Sequence, residues 1–293
     1  PPAAPITVFA AGLATPIFFY SMLFFEHTLA ACMSTAGLTL VEAGRHRVRS
    51  GPLAATGAVI MSLGVWFRGD VYFLIAGILG GMLLLRSYRP QLLPFLSGLI
   101  LGLAPYYGIN HVVYGVALGP QVNSMLTPSP AAGFDFTGFA GERWDIIRYF
   151  LLSFTDKPLL NYIFFPAAVL PAILLSLQAK KPPHRDAFII IWTVLLFLIT
   201  AGTFGRLFFL DNPMQSSLDM LGLFACIPFL PFSLVRLRGR RPGQQDQFAD
   251  FLLVVMLLSI IGYALGLPSR GGLQWGPRYL LALFPLMILL AVH

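Results

Sequence analysis

The chain has 293 residues, of which 57% are hydrophobic and only 11% charged, with a mean hydropathy of +0.78 and a net charge of +7. A soluble domain of this size could not cover so much apolar surface with polar groups, so lipid must be the solvent for most of it. Alternating polar and apolar barrel strands are absent, which leaves an all-α, polytopic transmembrane helical bundle as the expected fold class.

A bilayer core takes ~20 apolar residues per helical span, and runs near that length recur from end to end. In chain order the expected spans are Ile6–Leu23, His27–Val41, Gly51–Phe67, Val71–Leu85, Gln91–Val113, Leu159–Leu177, Ala187–Gly205, Ser216–Val235, Phe248–Leu267 and Tyr279–Val292. The third and fourth are short for a span. Three regions follow: helices over 1–113, an outer-face loop with an interfacial helix over 114–156, and further helices over 157–293.

The loops alternate in charge. Arg45, Arg47, Arg49, Arg86, Arg89, Lys180, Lys181, Arg185, Arg236, Arg238, Arg240 and Arg241, twelve of the 19 basic residues, fall on one side. Glu42, Asp186, Asp246 and Asp250 lie with them, so that side carries +8 and the other −1. Short loops rich in Lys and Arg stay cytoplasmic, which places both ends of the chain inside. The excess of positive charge thus reports orientation in a membrane, and nucleic acid is not an expected partner. Sixteen Arg against three Lys fits a GC-rich bacterial genome and an inner-membrane location. Cys32 and Cys226 sit within apolar runs and are expected to act as small buried hydrophobes.

The first outer turn carries Glu26 and His27, and the second, Arg68-Gly69-Asp70, follows Trp66-Phe67. Gly69 is expected to permit the tight reversal of a two-helix hairpin. Asn110 and His111 close the fifth run. The long segment from Tyr114 to Asp156 opens with Gly115, Gly119 and Pro120, and its second half places Trp144, Ile147, Phe150, Leu151 and Phe154 on one helical face. That pattern predicts an amphipathic helix in the outer headgroup layer, ended by Asp156-Lys157-Pro158.

Taken singly, His27, His111, Arg206 and Asp219 read as ordinary interfacial groups. Taken together, the outer turns place acids, Arg and amides at one depth, which predicts a polar cavity open to the outer leaflet. Arg68 and Arg278 suit a phosphate because guanidinium donates in a fork that matches phosphate oxygens. Asp70 or Glu26 could take a proton from a hydroxyl or help hold a divalent cation. No Rossmann glycine pattern, P-loop, zinc-ligand spacing or serine-hydrolase elbow is present.

Several stretches resemble the GT-C-fold glycosyltransferases, bacterial relatives of protein mannosyltransferases and of the aminoarabinose transferase of lipid A. Ala14-Thr15-Pro16 through Tyr20-Ser21, followed by Glu26-His27, resembles their Pro…Tyr-Ser…Glu segment. Trp66-Phe67-Arg68-Gly69-Asp70 is similar to their hydrophobic-Arg-x-acid turn, with Asp where Glu is common. Asn110-His111-Val112-Val113-Tyr114-Gly115 resembles their Asn…Tyr-Gly, and Trp275-Gly276-Pro277-Arg278-Tyr279-Leu280, with Pro285 beyond, their Trp-Gly-x-Arg-Tyr…Pro. The matches span most of the chain in the expected order, each short and degenerate.

The resemblance implies transfer of a sugar from a polyprenyl-phosphate lipid donor to an acceptor on the outer face. It implies Glu26, Arg68, Asp70 and Asn110 as a supporting polar site, and Arg278 and Tyr279 as donor-phosphate ligands. The family's catalytic base lies in its first outer loop, which this reading places upstream of Pro1, so no base is assigned. Two other classes stay open: a lipid flippase or transporter, and a non-catalytic subunit packed with partner membrane subunits in a larger complex.

Overall fold

The computed structural model describes residues 26–45, 50–119, 247–266 and 278–292, together with isolated helical positions between 140 and 198. The expected spans Ile6–Leu23, Leu159–Leu177, Ala187–Gly205 and Ser216–Val235, and Cys226, lie outside the described residues apart from those isolated positions. Every described element is helical, and no strand occurs among the described residues.

The helices are α1 Glu26–Arg45, α2 Ser50–Phe67, α3 Val71–Leu84, α4 Leu92–Tyr114, α5 Gln247–Gly266 and α6 Phe284–Val292. A 3-10 turn over Arg89–Gln91 leads into α4, and another over Arg278–Leu283 leads into α6. Three helical segments, Ser50–Phe67, Arg89–Tyr114 and Gln247–Gly266, are long and apolar enough to cross a membrane, which is compatible with a multi-pass membrane protein. At 14 residues α3 is about 21 Å long, well short of the ~30 Å hydrocarbon core.

Small residues decide which helices pair. Along α1 the buried stripe is Ala30, Ala31, Ser34, Gly37, Leu38, Val41 and Gly44, spaced by three and four. Gly37 faces Gly57 of α2 so closely that a β-carbon on Gly37 would stand 2.5 Å from the Gly57 carbonyl oxygen, and one on Gly57 2.6 Å from that of Gly37. Backbones approach this closely only where neither residue carries a side chain. On α3, Gly77, Gly80 and Gly81 offer the same flat face to Phe251, Val255, Leu258 and Ser259 of α5. Three hydroxyls on α1 and α2 are spent locally: Thr35, Thr39 and Ser62 each donate to the carbonyl four residues earlier at 2.8 Å.

The result is a layered bundle in which α2 lies between α1 and α4, α3 pairs with α5, and the Arg278–Leu283 turn packs on α1. Met61, Leu74, Ile78, Met82, Phe95, Phe251, Val255 and Met287 fill its centre. Although α2 and α3 are joined by three residues they barely touch, because the glycine face of α3 draws it to α5.

Two expectations are corrected. Gly69 does not take a left-handed conformation; among the described glycines only Gly115 and Gly119 do. The reversal is made by short bonds from Val71 N to Arg68 O and from Tyr72 N to Gly69 O, both 3.2 Å, which ordinary residues can form. Cys32 is exposed on α1, since the buried stripe is set by its smaller neighbours.

At the end of the bundle that holds Arg45, α1, the turn before α4, and α5 are fastened by a polar cluster. Tyr88 is fully buried, stacks on Phe251 at 3.9 Å, and donates to Glu42 at 2.5 Å. Arg45 pairs with Glu42 at 2.6 Å and reaches Gln247 at 3.0 Å. Tyr88→Phe keeps the ring and removes a bond to a charged acceptor. It is expected to cost about 1.5–3 kcal/mol, read as a lower midpoint in thermal unfolding of the purified protein in detergent.

Candidate functional site

At the opposite end of the bundle the chain collects charge that its sequence scatters. Helix α2 ends at Phe67, with the Arg68 amide donating to Gly64 O at 2.9 Å, and α3 starts at Val71. Arg68 and Asp70 occupy the two shoulders of this turn. Asp70 stands in the N-cap position of α3, where an Asp ordinarily bonds the free amides of the first helical turn. Its side chain makes no such cap. The carboxylate turns instead to Arg68, whose Nε donates to Asp70 Oδ1 at 3.1 Å, while Arg68 Nη1 donates to Glu26 Oε1 at 3.2 Å.

Burial differs sharply along this triad. The side chains of Arg68 and Asp70 are 7% and 5% exposed, whereas that of Glu26 is 44% exposed and forms the wet rim. Burying charge is costly unless it is paired. The 42-residue separation between Glu26 and Arg68 is therefore closed by the packing of α1 on α2. His27, next to Glu26, is buried, and His111 at the end of α4 is exposed.

Beside the triad sits a residue whose environment the sequence did not reveal. Tyr263, on the last full turns of α5, is completely buried and packs on Phe73 of α3 with ring centroids 5.1 Å apart. Phe73 lies one helical turn beyond Asp70. Among the described residues that hydroxyl has no hydrogen-bond partner. In the sequence it is one aromatic within an apolar run, and only the pairing of α5 with α3 brings it here.

Asn110 occupies the neighbouring sector. It is buried, and its Nδ2 donates to Tyr106 O one turn earlier at 3.0 Å, so its amide is turned along its own helix. Helix α4 ends at Gly115, which takes a left-handed conformation (φ 71°) and returns its amide to His111 O at 3.0 Å. The chain then folds back so that Tyr106 Oη donates to Leu118 O at 3.2 Å, with Gly119 set against Asn110. Trp66 stands over Tyr106 at 5.5 Å, linking this sector to the turn that carries Arg68.

Helical positions at Ala140, Gly141, Arg143, Trp144, Ile146 and Ile147 mark the start of the expected interfacial helix, and the rest of it lies outside the described residues. Its packed residue is Ile146, almost fully buried, rather than Trp144, which is 58% exposed. The face that holds the bundle is thus set one position away from the apolar face expected to contact lipid. Arg143 reaches Ala264 O at 3.5 Å, next to Tyr263.

Arg278 and Tyr279 open the 3-10 turn that packs on α1, α3 and α5. Their side chains lie outside the described residues. Arg68 donates from Nε to Asp70 and from Nη1 to Glu26, so it holds both carboxylates in place. Among the described residues no group of three or more His, Cys, Asp or Glu is arranged to hold a metal ion. The chain matches no protein-family model, and comparison with curated proteins and with solved structures gives no match.

Proposed function

We propose that the protein is an integral membrane glycosyltransferase that moves a sugar from a polyprenyl-phosphate donor to an acceptor on the outer face, using about ten spans with both chain ends inside. The observation that carries this reading is the triad. Three residues from two of the family-like segments, Glu26, Arg68 and Asp70, meet at one end of the bundle, opposite the basic cluster around Arg45. In this reading the Arg45 end faces the cytoplasm and the triad faces outward, where a lipid-borne donor and a polar acceptor can meet.

Roles divide by charge. Arg68 fixes the two carboxylates, which receive hydroxyl groups of the substrates. Arg278 and Tyr279 hold the lipid phosphate, whose charge grows as the glycosidic bond breaks, so that a prepositioned guanidinium stabilises the transition state more than the ground state.

The test is transfer by the full-length protein in liposomes supplied with polyprenyl-phosphate sugars. Arg278→Ala should lower transfer by about 10²-fold or more, the scale of losing one electrostatic stabiliser, with folding yield unchanged. Equal losses in transfer and yield would make Arg278 structural and remove the donor site from this position.

A further inference from the structure

The link from α3 to α4 is a pair of tight turns that present two guanidinium groups outward. The Tyr88 amide donates to Leu85 O at 3.0 Å and the Arg89 amide to Arg86 O at 3.3 Å. Residues three apart eclipse in such turns, so Arg86 and Arg89 share a face. Both are exposed. Tyr88 between them is fully buried and fastened to Glu42 and Phe251, which holds the link in place.

Arg89 Nε donates to Leu83 O at 2.9 Å and so closes the last turn of α3. That bond fixes the side chain and leaves the two terminal nitrogens of the fork unused. Among the described residues neither Arg86 nor Arg89 pairs with a carboxylate. Glu42, the acid nearest in the fold, is held by Arg45 and Tyr88. The sequence sorts only Glu42, Asp186, Asp246 and Asp250 to this end, against twelve Arg and Lys, so the counter-ion comes more readily from outside the chain.

Two observations point to a lipid as its source. Leu83 and Leu84 at the end of α3 and Leu93 at the start of α4 are 55%, 63% and 77% exposed, so the guanidinium pair borders an apolar surface. Helix α3 is also about 21 Å long, which brings the turns at its two ends closer together than the ~30 Å thickness of a hydrocarbon core. A bilayer meets such a short span by thinning, and thinning carries lipid phosphates in toward Arg86 and Arg89.

We propose that Arg86 and Arg89 form a binding site for the phosphate of an anionic phospholipid, with its acyl chains lying on Leu83, Leu84 and Leu93. Guanidinium groups suit this role because they stay charged and donate in a fork that matches phosphate oxygens. The site belongs to the leaflet at the Arg45 end of the bundle. It requires that the chain cross a membrane and is independent of sugar transfer.

The test is phosphatidylglycerol titrated into phosphatidylcholine nanodiscs that hold the full-length protein, with retained lipid counted by native mass spectrometry. Wild type should retain phosphatidylglycerol in preference to phosphatidylcholine. Arg86→Gln should weaken that retention roughly 5-fold, and Arg86→Gln with Arg89→Gln roughly 25-fold, the usual worth of basic residues at an anionic surface. Lys180→Gln with Lys181→Gln removes the same charge from the same side of the sequence and should leave retention nearly unchanged. Equal losses in the two double variants would reduce the effect to diffuse attraction and overturn the site, as would a wild type without preference. Displacement of the lipid by excess glycerol phosphate would make this a site for a soluble anion instead. The Arg86 side chain makes no bond among the described residues, so Arg86→Gln should keep the unfolding midpoint in detergent. A lower midpoint would show that this guanidinium is spent inside the protein, and the lipid assignment would fall with it.

Discussion

Arg68→Ala is expected to destabilise the protein by about 3–5 kcal/mol, the usual cost of removing one partner from a buried ion pair. The reason lies in Asp70, whose carboxylate is 5% exposed and would lose the guanidinium that compensates it. Glu26 contributes far less, because at 44% exposure water can solvate it. Arg68→Lys should recover only part of the loss, since a single ammonium cannot reproduce a guanidinium that spans two carboxylates. The informative control is the double substitution Arg68→Met with Asp70→Leu. Well-packed apolar replacements of buried pairs are often neutral, so this variant should regain most of the thermal midpoint lost by Arg68→Ala. It should not regain the proposed sugar transfer. A single Arg68→Ala protein that unfolds within about 1 kcal/mol of wild type would mean that the pair is solvated, and the idea of a closed polar site would go with it.

The second large effect is expected where no chemistry is involved. Gly37→Val places a branched side chain where a single β-carbon would already stand 2.5 Å from the Gly57 carbonyl oxygen. Overpacking costs about 1–3 kcal/mol when flexible side chains can move aside. Here the obstacle is backbone, so α1 and α2 must separate and the cost should reach or pass the top of that range. Separation would also pull Glu26 away from Arg68, because the first is carried by α1 and the second follows α2. The proposed sugar transfer and the unfolding midpoint should therefore fall together. Gly108→Ala is the matched control, since a β-carbon there meets nothing within 4 Å, and it should be neutral or slightly stabilising. If both glycine variants behave alike, the close crossing of α1 and α2 is not present in solution.

These two expectations separate what the chain states locally from what assembly adds. Hydrophobic runs of span length are visible one residue at a time, because burial in lipid is a property each side chain carries with it. The expected runs Gly51–Phe67, Val71–Leu85, Gln91–Val113 and Phe248–Leu267 accordingly differ from α2, α3, α4 and α5 by no more than one residue at either end. The run His27–Val41 is shorter than α1, which continues to Arg45 because Glu42 and Arg45 pair with each other and with Tyr88. The candidate residues Glu26, Arg68 and Asp70 were legible too, as charges that an apolar chain carries only where they are answered.

Partner choice was not legible. Nothing in the apolar runs says that α3 leaves α2 for α5, since one glycine-rich face is as flat as another until a surface of complementary shape meets it. Tyr263 was missed for the same reason. Its contact with Phe73 depends on that pairing, whereas Asn110, prominent in the sequence, spends its amide on its own helix. The helical class and the apolar segments of membrane-crossing length could be read from composition and hydropathy, because they follow from the transfer energies of individual groups. Which charges meet was settled by folding, because that depends on contacts between segments distant in the chain.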